Sequence, residues 1–397
     1  MARAKLEFDA MLADPVGELQ RARRIGWLGE TEIGVVGVLT HERVRELLTD
    51  GRLRSGFVQF METLGVTSGP FYEWMSISPL NRDGADHVRW RQLMSKAFTP
   101  RSVERLRPFL HDAAHELIDG FATRGQAEFM AEFADAYPSL GLSELIGVPT
   151  EDRERFRGWS NTIGLGFSPV SMAVRLPEID EALTRLLEYT GELATKRRAD
   201  PRDDLVTRIA QAADEEGGWS DFEVRGFIAG LVFAGHETTK NQLGWMVALL
   251  ADRPDVWDAV AGGDLTAAEV VEEVMRLRGA ATNVGRTVAE PVEVDGERLE
   301  PGTQVLFSLW SANRDEAAFP RPEAMAPREN ADVPHVGFGH GPHFCLGAAL
   351  ARAELQEALS ALTARINCPS VGPGATWKPP MGINGPETLP ITFQRRA

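Results

Sequence analysis

Between Ser220 and Arg253 the chain runs without a proline. Ser220 and Glu223 form a capping box at its start, and Pro254 stops it. At about 1.5 Å per residue this helix, over residues 220–253, would be roughly 50 Å long, enough to cross a whole domain. Both flanks are apolar, so the helix has to be buried among other elements. Its centre departs from that pattern. The stretch GLVFAGHETTKNQLGW places His236, Glu237, Thr238 and Thr239 at the midpoint, directly after Ala234 and Gly235. Leaving a carboxylate or hydroxyl unpartnered there costs about 1–3 kcal/mol. The small residues beside them let something flat approach the backbone. The plainer alternative is a kinked helix with Thr238 bonded back to a carbonyl and Glu237 turned to solvent.

The rest of the chain reads as mainly α with small β-sheets. Apolar residues recur at helical spacing over residues 42–48, 85–98, 103–121, 178–198 and 348–362. Residues 33–38 and the alternation VEVDGERLEPGTQVLF, turning at Asp295-Gly296, predict small hairpins. Pro177, Pro254, Pro291 and Pro301 mark element ends. No repeat, low-complexity tract or linker divides residues 1–397, which therefore read as a single large domain.

Composition removes several function classes. Asp plus Glu total 58 against 42 Lys plus Arg, a net charge of −16 that repels nucleic acid and anionic membranes. No run of about 18 apolar residues provides a membrane span, and the start, MARAKLEFDAML, is no secretory signal; the expected location is cytoplasmic. Two cysteines, Cys345 and Cys368, give no disulfide framework. Positive charge gathers locally at Arg89, Arg91, Lys96, Arg101, Arg105 and Arg107, either as a solvated face or as a docking patch.

Several pairs are placed for chemistry. Thr266 and Glu269 cap the helix AAEVVEEVMRLR, which sets Glu273 and Arg276 on one face. Exposed, that pair is worth a few tenths of a kcal/mol. His87 and Arg91, four apart, point the same way, and Arg286 and His343 add two more potential cations. Four such groups can converge on paired carboxylates or phosphates. The loop VGFGHGPHFCLG, residues 336–347, holds Cys345 just ahead of a helix. Read as a zinc site it would use His335, His340, His343 and Cys345, but zinc spacing usually comes from separated ligand pairs. A single thiolate among glycine N–H groups at a helix N-terminus suits an axial haem ligand instead.

Taken together these stretches spell a family. FGHGPHFCLG running into AALARAEL resembles the cysteine-ligand loop of cytochrome P-450, the haem-thiolate monooxygenases. Phe338, Gly341, His343, Cys345 and Gly347 fall on its signature positions. AGHETT resembles the oxygen-activating helix, EEVMR carries the Glu-x-x-Arg pair, and ADHVRWRQLMSKAFTPR resembles the propionate-binding helix of the soluble bacterial branch. RTVAEPVEVDGERLEPGTQV and SANRDEAAF follow in order, so the resemblance spans nearly the whole chain.

The resemblance implies the cytochrome P-450 fold, with haem b between the long helix and the cysteine loop. Cys345 would be the axial thiolate, favouring O–O cleavage. Gly339 and Gly341 would keep the loop slim, and Gly347 would let the next helix approach the porphyrin. His87, Arg91, Arg286 and His343 would hold the propionates. Thr238 would hydrogen-bond bound oxygen while Glu237 relays protons from water. Glu273 and Arg276 would be a buried structural pair, completed by Arg328, with Arg321 as alternative. Gly279 and Ala280 stand where the family often has proline, which would leave that crossing more mobile. The variable regions supply Phe57, Trp74 and Phe167, then Leu231, Ala234, Val284 and Ile383, so the expected substrate is mainly apolar, mid-sized and organic. No flavin or nicotinamide fingerprint follows the loop; electrons would come from an external ferredoxin and ferredoxin reductase, docking on the basic cluster. Oxidative coupling, dealkylation, peroxide-driven oxidation and a non-catalytic haem sensor are the competing outcomes.

Overall fold

The capping box at Ser220 closes in both directions: Glu223 N donates to Ser220 Oγ at 3.2 Å, and Ser220 N donates to Glu223 Oε2 at 2.8 Å. In the computed structural model, which describes residues 3–97 and 99–396, the helix it opens runs from Asp221 to Leu250. It stops short of Arg253 and is about 45 Å long. Phe227, Ile228, Val232 and Phe233 on one side of its midpoint, and Leu243, Met246, Val247 and Leu250 on the other, are buried and belong to the largest apolar cluster. Helices Ala136–Ile146, Arg153–Gly164, Pro169–Ala199, Ala267–Arg278 and Ala348–Arg365 pack around it. This is the mainly helical layering that a helix apolar on all sides requires.

Pro177 does not end an element. The helix Pro169–Ala199 passes through it, and the break falls at Arg175, whose φ of −118° and ψ of 17° are non-helical. A proline removes one N–H and crowds the carbonyl four residues back, and the kink absorbs both. Pro254 does open a helix, Pro254–Gly262.

Six short strands form one sheet in the order Ala4–Leu6, Leu28–Thr31, Val36–Val38, Gln304–Ser308, Asn283–Val288, Leu53–Arg54. Ile33, read as strand, lies on the turn between the second and third and is 86% exposed; Gly34 at φ +80° reverses the chain there. The other hairpin pairs Val292–Val294 with Glu297–Leu299 and turns at Asp295 and Gly296, both at positive φ, as a two-residue loop demands. Along Asn283–Val288, Val284 pairs with Phe307 and Arg286 with Val305. Because side chains alternate faces, Val284 and Arg286 share one. No helix among the described residues is long and apolar enough to cross a membrane.

Candidate active site

Three basic residues predicted from three motifs, His87, Arg286 and His343, meet around one carboxylate, and Arg91 acts on His87 from the same helix. His87, from the helix Gly84–Ala97, lies with its ring 4.0 Å from that of His343. His343 Nε2 is 3.0 Å from Asp83 Oδ1, and Ser55 N donates to Asp83 Oδ2 at 2.8 Å. Burial first, then the charges of His343 and Arg91, push His87 down to about 4, against the pull of Asp83. Arg286 is buried on its strand, and its guanidinium makes one hydrogen bond among the described residues, Nη1 to Gly285 O at 2.8 Å. Desolvation lowers it while Asp83 opposes. Asp83 is a member sequence reasoning missed, although it stands four residues ahead of His87. A polar hollow of 380 Å³ lined by Arg54, Ser55, Arg82, Asp83 and Thr287 opens beside this cluster, away from the long helix. Arg286 and two histidines against one carboxylate, with Arg91 close to His87, leave a surplus of donors, which fits the two propionates of a porphyrin.

The cysteine loop is held by its own backbone. Cys345 N donates to Phe338 O at 2.9 Å. Gly341 has φ +72°, and a Cβ there would lie 2.9 Å from Leu48 O, so glycine is required for both reasons. Cys345 keeps accessible surface, yet protein crowds it closely. Burial therefore pushes its thiol up, and the N–H groups of Gly347 and Ala348 with the charges of Arg91 and Arg352 only partly offset this. The loop alone thus favours the neutral thiol, and a metal bound there would take the proton's place. Zinc is not that metal here. His335 Nε2 turns to Glu272 Oε2 at 3.2 Å and His343 to Asp83, and among the described residues no three such side chains are placed to hold an ion. A lone sulfur with backbone donors, together with the cation set, matches an iron porphyrin.

Glu273 and Arg276 form a buried bidentate pair, with Nε to Oε2 at 2.7 Å and Nη2 to Oε1 at 2.8 Å. Neither candidate guanidinium completes it. Arg328 is exposed and donates to Glu269 Oε1 at 2.9 Å, and Arg321 contributes only its carbonyl, 3.3 Å from Arg276 Nη2. The third partner is Asn330, whose Nδ2 donates to Glu273 Oε1 at 2.8 Å, joined by Ala326 N at 2.8 Å. The carbonyls of Asn313, Pro322 and Ala324 take the remaining Arg276 donors at 2.6–2.9 Å. Asn330 Nδ2 and Ala326 N supply the donors that a second arginine was expected to supply.

At the long helix's midpoint Ala234 is exposed and Gly235 and Thr238 are half-buried, while Phe233, His236, Glu237 and Thr239 are buried. Thr238 Oγ1 donates to Ala234 O at 2.7 Å. Glu237 does not reach solvent. It is buried, with Lys378 Nζ 2.5 Å from Oε1, Lys240 Nζ 2.8 Å from Oε2, and Asn241 Nδ2 donating to Oε1 at 3.0 Å. Burial alone would raise its carboxyl, but the two lysines prevail and hold it at about 2. A depressed acid of this kind adds stability that is complete above its ordinary value of 4.5 and is lost as pH falls toward 2. His236 is absorbed structurally, with its nitrogens 3.1 Å from Ser160 Oγ and 2.9 Å from Asp135 O.

Residues 176–261 and 266–365 match the family model described as Cytochrome P450. Over 389 residues the chain is 36% identical to mycinamicin IV hydroxylase/epoxidase of Micromonospora griseorubida, covering 96% of each. The chain belongs to the cytochrome P450 family. Luteothin monooxygenase of Streptomyces thioluteus is 33% identical over 377 residues, 95% of this chain and 92% of that one. The solved cytochrome P450 CYP109Q5 of Chondromyces apiculatus matches with a TM-score of 0.89 at 29% identity, covering 100% of both chains. As a P450 the protein is a monooxygenase, an oxidoreductase whose family implies haem with a cysteine thiolate ligand.

Of the pocket residues read from this P450's variable regions, Phe57 stacks on Phe167 with centroids 5.3 Å apart, and Phe167 on Phe233 at 4.3 Å. Trp74 lies edge-on to Phe233 and donates Nε1 to Gly226 O at 2.8 Å, which ties it to the long helix. Leu231, Val284 and Ile383 are half-buried.

The crossing at Gly279 and Ala280 is pinned rather than loose. Ala280 N donates to Gln242 Oε1 at 2.8 Å, a bond proline could not make, and Gln242 Nε2 donates to Arg278 O at 2.9 Å. Gln242→Leu strands both backbone groups and is expected to lower stability by about 1–3 kcal/mol, read as a shift of the urea midpoint. An unmoved midpoint would show that the crossing does not depend on this bridge.

Three of the six cations in the basic cluster are paired within the protein. Arg89 pairs with Glu216 at 3.0 Å, Arg105 with Asp203 at 3.4 Å, and Arg107 with Glu104 and Glu357 at 2.9 Å each. The Lys96 side chain lies outside the described residues. Carboxylates brought in from elsewhere in the fold neutralise what the sequence shows as a run of positive charge.

Proposed function

We propose that this P450 inserts one oxygen atom of O2 into a mainly apolar, mid-sized organic substrate, with electrons from a separate ferredoxin and its reductase. The observation that carries this reading is an acid and an alcohol, buried Glu237 and half-buried Thr238, beside exposed Ala234 at the midpoint of a largely buried helix. Bound haem b, ligated by Cys345, supplies the activation of dioxygen. His87, Arg91, Arg286 and His343 hold its propionates, and Gly347 keeps the space beside the sulfur free of a side chain. Thr238 rotates its hydroxyl away from Ala234 O and presents a proton at the accessible helix face. Glu237 exchanges protons with water and so resupplies Thr238. Phe57, Phe167, Leu231, Ala234, Val284 and Ile383, with Trp74 behind them, give an apolar wall that excludes water and orients substrate. Glu273 and Arg276 keep the core beneath the loop in register.

Residues 1–397 act as one domain, and the reaction is placed in the cytoplasm. The relatives' names, a monooxygenase and a hydroxylase/epoxidase, support oxygen insertion over a sensor role. The test is turnover under 18O2 with a ferredoxin, its reductase and a panel of apolar organic compounds. The expected result is product carrying one 18O per molecule over many turnovers. Product labelled only from water, or none with any compound that perturbs the haem spectrum, would overturn the reading.

A further inference from the structure

One of the two lysines that hold Glu237 comes from a part of the chain that no motif marks. Lys378 sits at the base of a closed loop, residues 378–385. Its N–H donates to Gly385 O at 3.0 Å, and Asn384 Nδ2 fastens the interior by donating to Lys378 O at 2.7 Å and Pro379 O at 2.9 Å. From that base the ammonium reaches Glu237 Oε1 at 2.5 Å. The other foot of the loop presses on the same place: a Cβ on Gly385 would lie 2.5 Å from Oδ1 of Asn241, which itself donates to Glu237.

The far end of the loop carries Ile383, one of the residues of the proposed apolar wall. Ile383 bridges Ala281, Gly382 O accepts from Thr282 N at 3.0 Å, and Asn384 N donates to Ala280 O at 2.8 Å. A Cβ on Gly382 would lie 2.6 Å from Phe167 O, so the loop tip touches the turn that carries the central ring of the phenylalanine stack. One short loop thus connects the ring stack to the acid of the long helix.

We propose that Lys378 is a positioning residue for Glu237: it immobilises the carboxylate, and the loop 378–385 makes its release depend on what occupies the pocket. Other groups around Glu237 cannot take this part. Lys240 stands on the same helix, and Asn161 and Asp135 hold it from the far side at 2.7 Å and 3.5 Å. His236 faces Ser160 and Asp135, Arg157 pairs with Asp135 at 3.3 Å, and Gly164 brings no charge where it meets Glu237. Lys378 alone is carried by an element that also lines the pocket. A compound that displaces Phe167 or Ile383 shifts the loop, withdraws the ammonium and lets Glu237 take up a proton from water for delivery to Thr238. An empty pocket leaves the clamp shut, so no proton is passed through Glu237 to Thr238 without a target.

This inference rests on Glu237 being the proton relay, and the experiment separates the two. In the holoenzyme the infrared band of protonated Glu237 is identified by its loss in Glu237→Gln and titrated in wild type, Lys378→Met and Lys378→Arg. Lys378→Met is expected to protonate Glu237 at a pH about 1–3 units higher than wild type, with Lys378→Arg restoring the wild-type position. Filling the pocket with 4-phenylimidazole is expected to shift wild type toward the Lys378→Met position and to leave Lys378→Met unmoved. A Glu237 band at the same pH in wild type and Lys378→Met overturns the positioning role. A wild-type band unmoved by bound 4-phenylimidazole overturns the link to the pocket. If the bands move as expected while the pH profile of product per electron stays that of wild type, Lys378 positions Glu237 as proposed and it is the relay reading that fails.

Discussion

Glu273→Gln is expected to cost about 3–5 kcal/mol of stability, the scale for removing one partner of a buried ion pair. Glu273 accepts from Arg276 twice, from Asn330 and from Ala326 N. An amide in its place keeps one acceptor and turns an NH2 toward donors that are already there. The Arg276 guanidinium would stay buried, against Phe319 and four carbonyls that solvate it but supply no countercharge. The measurement is the urea midpoint of the purified variant and the fraction of protein that retains haem. Arg328→Ala supplies the contrast: that side chain is exposed and pairs with Glu269 at the surface, so its loss should leave the midpoint close to wild type. Equal effects from the two substitutions would contradict the assignment of Asn330, rather than Arg328, as the third partner.

Thr238→Ala is expected to separate electron use from product. The hydroxyl is a half-buried donor one turn from exposed Ala234, and losing a positioned proton donor costs on the order of 10²–10⁴ in the step it serves. Electron transfer does not pass through that hydroxyl, so reductant consumption should continue while organic product falls and peroxide rises. Stability should change little, because Thr238 bonds only to a carbonyl within its own helix. Comparing product formed with reductant consumed in wild type, Thr238→Ala and Thr238→Ser checks this, with serine recovering much of the coupling. Unchanged coupling in the alanine variant would remove Thr238 from proton delivery.

What the sequence makes legible here are features that repeat locally. The long helix declares itself through its capping box and uninterrupted apolar flanks, the hairpin through Asp295-Gly296, and the cation set through motifs whose members meet around Asp83. Lys240 could have been added, because three residues after Glu237 on a helix is contact distance. Lys378 and Asn330 could not. Each reaches its partner from an irregular segment far along the chain, where no periodicity fixes the direction of a side chain. The same reason explains the basic cluster: Arg89, Arg105 and Arg107 look unpaired until Glu216, Asp203 and Glu357 are folded against them. The break at Arg175 and the bridge from Gln242 to Ala280 are likewise settled by tertiary contacts, not by the prolines present or missing nearby.

The thiolate role of Cys345 is tested most directly by the optical spectrum of the dithionite-reduced protein under carbon monoxide, recorded for wild type and Cys345→Ala. A strongly red-shifted Soret band in wild type, absent from a Cys345→Ala protein that still folds, is the expected result. A wild-type spectrum without that band after haem reconstitution, or one that Cys345→Ala leaves unchanged, would contradict an iron held by this sulfur.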